Sequence, residues 1–283
     1  MTIAQPTWQD DIDPEPVRRG PRERYLAEGW LPIRRLDDGR HLVATDGRHR
    51  EPAFADALAA GLGGPVSFTE VDPWDLKDAV LLICGEAVAD DAANRLFRRN
   101  PELSGRYVFS RGQKTGALVA AVVIVALAVV WPRQTAVGAL SVVSLAFLAA
   151  TTFKFLVALQ GARFDVVERV TESEVARLDD ADLPVYTVLV PVFREANIVA
   201  QLIENLGGLD YPAHKLEVLI LIEEEDSETR DAIVHADPPA HFHIVTVPAG
   251  QPQTKPRACN VGLTLASGEF LVIYDAEDTP DPD

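Results

Sequence analysis

Cysteine is scarce in this chain, and positive charge is scarce in its second half. The only two cysteines, Cys84 and Cys259, lie far apart in apolar or helical settings, which excludes a disulfide framework and points to free thiols in a reducing compartment. No G-x-x-x-x-G-K-S/T loop occurs, so a P-loop nucleotidase is excluded. The first 24 residues contain no long apolar run, so no secretory cleavage is expected. The formal charge is −17 and is unevenly placed: Phe164–Asp283 carries 24 Asp and Glu against 7 Lys and Arg, whereas Met1–Arg163 carries 19 of each. Such a field repels nucleic acid and excludes it as a partner. An anionic substrate would need a bound cation, or locally placed Lys and Arg, to be held.

What is present is ample apolar material, 47% of residues, arranged in distinct blocks. Met1–Arg24 is polar and rich in proline and charge, as a mobile tail is. From Tyr25 to Arg111 the composition becomes that of a small α/β domain. Trp30–Arg35, His41–Thr45 and Val66–Glu70 are β-compatible runs, with Asp37-Asp38-Gly39 as a tight turn. Pro52–Leu62 and Asp75–Ile83 have helical spacing, and Ala87–Phe97 is a candidate third helix. Thr115–Trp131 is uncharged throughout, and Ala136–Leu159 is interrupted only by Lys154, within snorkelling reach of an interface. Joined by Pro132-Arg133-Gln134-Thr135, the pair over residues 115–159 reads as a transmembrane hairpin. Arg98, Arg99, Arg106, Arg111 and Lys114 precede it and Arg163 and Arg169 follow, which places both flanks in the cytoplasm. Residues 160–183 are a charged linker.

From Val185 strand and helix patterns alternate. Val185–Val192, Leu216–Ile222, His243–Val247 and Phe270–Tyr274 are strand-like; Glu195–Leu206, Ser227–His235 and Lys255–Ala266 are helical. This pattern predicts an α/β fold with a parallel sheet, helices on both faces and ligands beyond the carboxyl ends of the strands. The polar residues fall at those ends: Glu195 after the first strand, Glu223–Asp226 after the second, and Asp275, Glu277 and Asp278 after the last. Phe270–Tyr274 has the make-up of a buried strand, and its crowded carboxylates suit Mg²⁺ or Mn²⁺ holding a phosphorylated substrate. Lys255 and Arg257 open a helix whose N-terminus also favours an anion. Glu195 and Asp226 equally suit helix starts and caps. His241 and His243 would share a strand face without a third ligand, and are read as structural.

The motifs VLVPVFREANIVAQLIENL, LILIEEEDSET, TKPRACNVGL and FLVIYDAEDTPDPD, over Pro184–Asp283, resemble successive motifs of a family 2 glycosyltransferase. The chain is similar to the inner-membrane, cellulose-synthase-like and phage-adsorption-protein-B-like branch. The resemblance implies an incomplete GT-A, Rossmann-like domain in which Pro191 and Glu195 border the nucleotide pocket. It further implies that Glu225 or Asp226 contacts the base, Lys255 the donor phosphates, and Asp275 and Glu277 match the D-x-D metal motif, with Glu replacing the second Asp. The segment LPIRRLDDGRHLVATDGRHREPAFADALAAGLGGPVSFTEVDPWDLKDAV resembles the N-terminal domain of type II secretion ATPases, which implies a regulatory or docking module with an envelope-assembly partner.

The function implied is an inverting transferase in the bacterial inner membrane, taking a UDP-sugar and needing Mg²⁺ or Mn²⁺. The family's catalytic base and its Q-x-x-R-W motif would lie beyond Asp283, so the expectation is a truncated product holding the donor and metal half-site, inactive alone, with an exposed sheet edge. The alternative is a non-catalytic membrane-bound receptor for a cyclic di-GMP-type nucleotide, or a scaffold.

Overall fold

In the computed structural model, residues 8–49, 51–162 and 177–282 are described, together with residues 171 and 175. The chain divides into two compact units, one made of Met1–Arg99 with Asp179–Asp283, the other of Asn100–Leu178.

The larger unit contains two sheets. In the first, β1 (Trp30–Arg35) pairs antiparallel with β2 (His41–Thr45), which pairs parallel with β3 (Val66–Glu70). The turn between β1 and β2 places Gly39 at φ 83, a left-handed conformation that glycine adopts without strain. Helix α1 (Pro14–Arg19) and the start of α2 (Arg22–Glu28) lie inside the stretch whose composition suggests a mobile tail. Composition misleads there because a few apolar anchors suffice: Val17 is buried, and Trp8 and Ile12 pack on the core. Helix α3 (Pro52–Leu62) matches its sequence pattern. The two separate helices expected next are one, α4 (Pro73–Arg99), whose buried residues Leu76, Val80, Cys84 and Val88 follow a continuous helical period.

The second sheet is entirely parallel, in the order β6-β5-β4-β7, with β4 at Tyr186–Val192, β5 at Leu216–Glu223, β6 at Phe242–Val247 and β7 at Phe270–Ile273. Its connecting helices are α7 (Val199–Gly207), α8 (Ser227–His235) and α9 (Lys255–Leu265). This is the α/β fold that the alternation predicts. The strands split by parity: Val188, Val190, Val218, Ile220 and Ile222 face a core with α7 and α8, while Leu189, Leu219, Leu221, Val245 and Val247 face a core with α9 and α4. Residues from the N-terminal segment therefore cover one face of this sheet. Packing is close at Gly262 of α9, where an added Cβ would lie 2.9 Å from Leu221.

β7 departs from expectation. It is an edge strand, bonded only to β4, and Phe270 and Ile273 are half exposed. An apolar run specifies strand propensity but not which strand is central. Among the described residues nothing covers its outer side.

At the amino ends of the strands the carboxylate of Glu217, buried in β5, ties the parts together. It accepts from Thr187 Oγ1 at 2.5 Å, from Ser267 N at 2.9 Å and from the Ser267 hydroxyl, and pairs with Lys77 of α4 at 3.4 Å. Burial opposes ionisation of Glu217, but these donors hold its carboxyl below the ordinary value. Lys77 also donates to Leu265 O at 2.6 Å and lies 3.9 Å from the Trp74 ring centroid. Trp74 stacks on His243 with ring centroids 3.8 Å apart. His243 thus packs as a core ring.

In the smaller unit α5 (Arg111–Val130) and α6 (Pro132–Gly161) are long and apolar enough to cross a membrane, and they pack on each other. The four-residue loop expected at 132–135 is instead the first turn of α6. Pro132 sits at the first helical position, where its fixed φ and missing N–H suit a helix start, and Trp131 alone breaks the path. Arg163 and Arg169, on which the charge asymmetry draws, and half of the linker lie outside the described residues.

Burial against Trp74, reinforced by Lys77 and His241 and opposed by Glu217 and Asp72, pushes the His243 imidazole down to about 4. Its folded value lies below the ordinary 6.5, so its neutral form supports the fold above pH 6.5, and that support is lost as pH falls towards 4. Thermal melts between pH 7 and pH 4 should show stability declining by up to about 3 kcal/mol from this group. His243→Phe, which keeps the stacking, should flatten that decline.

Candidate active site

Strand β4 is followed by Arg194, a non-glycine residue in the left-handed region at φ 57, a conformation that costs of order 1 kcal/mol. Two buried side chains of the neighbouring segment hold it. Asp226 Oδ2 accepts from Arg194 N at 2.6 Å, and Thr229 Oγ1 accepts from Glu195 N at 3.1 Å. Asp226 also caps α8, accepting from Thr229 N at 3.2 Å. Burial pushes the Asp226 carboxyl up, yet the hydrogen bonds from Arg194 and Thr229 outweigh it and hold the group below its usual range. Asp226 is thus occupied with backbone. The turn it holds delays the following helix to Val199, four residues after the start that the apolar spacing suggests.

This turn carries Glu195 to the carboxyl edge of the sheet. Glu195 Oε2 is buried with no hydrogen-bond partner among the described residues. Burial raises its pKa, the carboxylates of Asp275 and Glu277 raise it further, and the Lys255 ammonium opposes them. These four groups therefore share one field. Lys255 Nζ is 2.9 Å from Asp275 Oδ1, both half exposed, and this hydrogen bond keeps the ammonium firmly protonated. The carboxylates stand on a tight turn after β7, in which Asp275 N donates to Asp278 Oδ2 at 2.8 Å and Asp278 N to Asp275 O at 3.0 Å. The ladder between β4 and β7 ends at Leu189 and Ile273, two residues before Pro191, so β4 carries a proline where it has become one-sided.

On the β5 side the acidic run separates into different roles. Glu224 and Glu225 are exposed at the sheet end, Glu224 Oε2 accepting from Ala249 N at 3.0 Å and Glu225 Oε1 from Gln253 Nε2 at 3.1 Å. Glu223 turns inward and meets Arg257, whose Nη2 lies 2.6 Å from Glu223 Oε2 and whose Nη1 donates to Pro248 O at 2.9 Å. Arg257 is 2% exposed. This corrects the expectation that Arg257 faces a bound anion. Lys255 and Arg257 are two positions apart on a helix, so they cannot share a direction, and only Lys255 faces the carboxylates. Sequence reasoning singled out neither Thr229 nor the inward turn of Glu223. The D-x-x-T pattern at Asp226–Thr229 is a capping signal that could have found the first.

The chemistry available is that of a phosphate and cation site. Hard carboxylate oxygens from Asp275 and Glu277, beside an unpartnered Glu195 oxygen, fit Mg²⁺ or Mn²⁺. Among the described residues no three His, Cys, Asp or Glu side chains are grouped to hold a metal unaided, so further oxygens would have to come from substrate and water.

The chain's curated relatives are glycosyltransferases. A probable glycosyltransferase of Bacillus subtilis, YdaM, is 26% identical over 102 residues, covering 35% of this chain and 24% of that protein. A dolichyl N-acetyl-glucosaminyl phosphate diacetamido-dideoxy-glucuronosyltransferase of Methanococcus voltae is 26% identical over 97 residues, 34% of this chain and 30% of that protein. The chain thus spans under a third of the length of these relatives. Among solved structures, a Pyrobaculum calidifontis mannosyltransferase in complex with GDP-Man and Mn²⁺ is 30% identical over 35% of this chain and 29% of that one, with a TM-score of 0.31. S. aureus TarS 1–349 in complex with UDP-GlcNAc is 24% identical over 33% of this chain and 26% of that one, with a TM-score of 0.28. No protein-family model matches.

The two cations of α9 should separate in experiment. Arg257→Leu strands the Glu223 carboxylate and should cost about 3–5 kcal/mol in denaturant unfolding. Lys255→Ala removes an exposed pair and should cost at most about 1 kcal/mol. Equal losses would contradict the inward placement of Arg257.

Proposed function

We propose that this chain is the donor-binding part of a membrane-anchored family 2 glycosyltransferase with a GT-A-type sheet. It takes sugar from a nucleotide-sugar donor and delivers it to a polysaccharide or envelope acceptor. The observation that carries this reading is the meeting of Lys255, Asp275, Glu277 and the unpartnered Glu195 oxygen at one sheet edge. Sugars on nucleoside diphosphates demand such a combination, because the leaving diphosphate gathers negative charge as its bond to the sugar breaks. The likeness to glycosyltransferases supports the reading over about a third of the chain.

In this proposal Lys255 and the first N–H groups of α9 receive the diphosphate. Glu224 and Glu225, one strand away, accept hydrogen bonds from base N–H or ribose hydroxyl groups. Asp275 and Glu277 hold Mg²⁺ or Mn²⁺, which when bound supplies the positive charge that neutralises the departing phosphate oxygens. Pro191 and the Asp226-capped turn shape the pocket wall and set Glu195 against it. Transfer with inversion forms a bond from an acceptor hydroxyl oxygen to the anomeric carbon as the bond to the diphosphate oxygen breaks, the electron pair leaving with the diphosphate and the hydroxyl proton passing to a general base on the acceptor side. The residues named here serve the leaving-group side. Helices α5 and α6 anchor the chain in the inner membrane, with the basic residues before them on the cytoplasmic side. The N-terminal segment is assigned a docking role towards an envelope-assembly partner.

Calorimetry of the detergent-solubilised chain against UDP- and GDP-sugars, with and without Mn²⁺, tests this. Mn²⁺-dependent binding of one donor is expected, weakened by about 10- to 100-fold in Asp275→Asn and Glu277→Gln. Undiminished Mn²⁺-dependent binding in both variants would sink the metal role.

A further inference from the structure

The N-terminal segment does more than cover the sheet. The loop after β6 leads into Lys255 and passes the residues that follow β5 on the way. Within it Ala249 N binds Glu224, Gln253 binds Glu225, and Pro248 O receives Arg257. One short stretch therefore links the acidic pair after β5 to the lysine opening α9. Side chains hold this stretch from the front, and α4 backs it.

The contact with α4 is made by small residues. Gly85 is buried mid-helix, and a Cβ placed there would lie 3.1 Å from both Cβ and Cγ of Pro248. One helical turn later Ala89 is buried under Gly250, where an added Cβ would come within 3.3 Å of Ala89 Cβ and 2.7 Å of Arg257 Nη1. Glycine inside a helix costs about 1 kcal/mol relative to alanine, so its presence at 85 needs a compensating reason, and the close approach of Pro248 supplies one. The same helix is clamped to α9 elsewhere along its length. Asn260 Nδ2 donates to Ala92 O at 2.8 Å, and Lys77 Nζ to Leu265 O at 2.6 Å. Helix α4 thus fixes both α9 and the loop that feeds it.

We propose that Gly85 and Ala89 are positioning residues of the donor site, forming the seat that holds the Pro248–Gly250 turn and thereby fixes the path that runs from Glu224 and Glu225 to Lys255, which faces Asp275. The consequence for the donor rests on the glycosyltransferase reading above; the mechanical role of the seat does not. Alanine at 85 improves helix propensity, so a purely structural role predicts unchanged or higher stability with no local effect.

The test uses the full chain carrying Gly85→Ala or Gly85→Leu, with Gly61→Ala as a control, because a Cβ at 61 meets nothing within 4 Å. Amide hydrogen exchange over residues 248–257 should accelerate in both Gly85 variants, more in the leucine one, while residues 30–45 keep their protection. Donor dissociation constants for the UDP- or GDP-sugar that wild type binds should rise by about tenfold in Gly85→Leu. Gly61→Ala should change neither. Unchanged exchange over 248–257 in the bulkier of the variants that fold would overturn the seat. Should wild type bind neither donor, the glycosyltransferase reading fails and the exchange result still decides the positioning role.

Discussion

The structure depends on burying one face of a four-stranded parallel sheet under a helix that arrives from far upstream in sequence. Leu189, Leu219, Leu221, Val245 and Val247 would present a continuous apolar surface if α9 alone lay across them. Helix α4 completes the cover, and its Leu76, Val80, Cys84 and Val88 join that core. Parallel sheets need both faces covered, because their strands are apolar on both sides. Residues 8–99 and 179–282 are accordingly one object, although a pair of long apolar helices separates them along the chain. The buried Glu217 carboxylate, shared by Lys77, Thr187 and Ser267, fastens the same joint with charge and hydrogen bonds.

That arrangement has a chemical outcome at the opposite end of the strands. A parallel sheet delivers every strand's carboxyl end to one edge, so acidic residues that are distant in sequence become neighbours. Some are consumed in building the edge: Asp226 restrains a strained backbone at Arg194, and Glu223 neutralises the buried Arg257. The remainder, Glu195, Asp275 and Glu277, stand in one field with Lys255. Buried carboxylate with incomplete compensation is a poor way to stabilise a fold and a good way to prepare for a cation. The carboxylates that build the edge are buried and hydrogen-bonded, whereas those free to meet a ligand are exposed or incompletely paired.

Much of this was legible in the amino-acid order. Local periodicity alone located β1, β2, β3, α3 and α8 and the alternation behind the parallel sheet, because period and turn chemistry are properties of short segments. The spacing of apolar blocks marked out two helices fit for a bilayer. Asp275, Glu277, Lys255 and Glu195 could be gathered into one site from sequence because strand ends in such a sheet must converge. What stayed hidden involved partners distant in sequence. Helix α1 and the start of α2 have the composition of a tail and are tied to α4, more than sixty positions away, through Arg18, Arg22 and Glu23. Phe270–Ile273 has the make-up of a central strand and lies at the edge, since strand order is set by long-range pairing.

By itself, then, the sequence determined most of the elements, the fold class and the set of charged residues at the sheet end, all consequences of local pattern and of strand polarity. Tertiary structure alone decided which of those charges face inward. Arg257 and Lys255 differ by two positions on one helix, and only the third dimension directs one to Glu223 in the interior and the other to Asp275 at the edge. It also decided that α4 belongs to the sheet, because the apolar stripe of a helix states how much surface must be buried but never names the surface that will cover it.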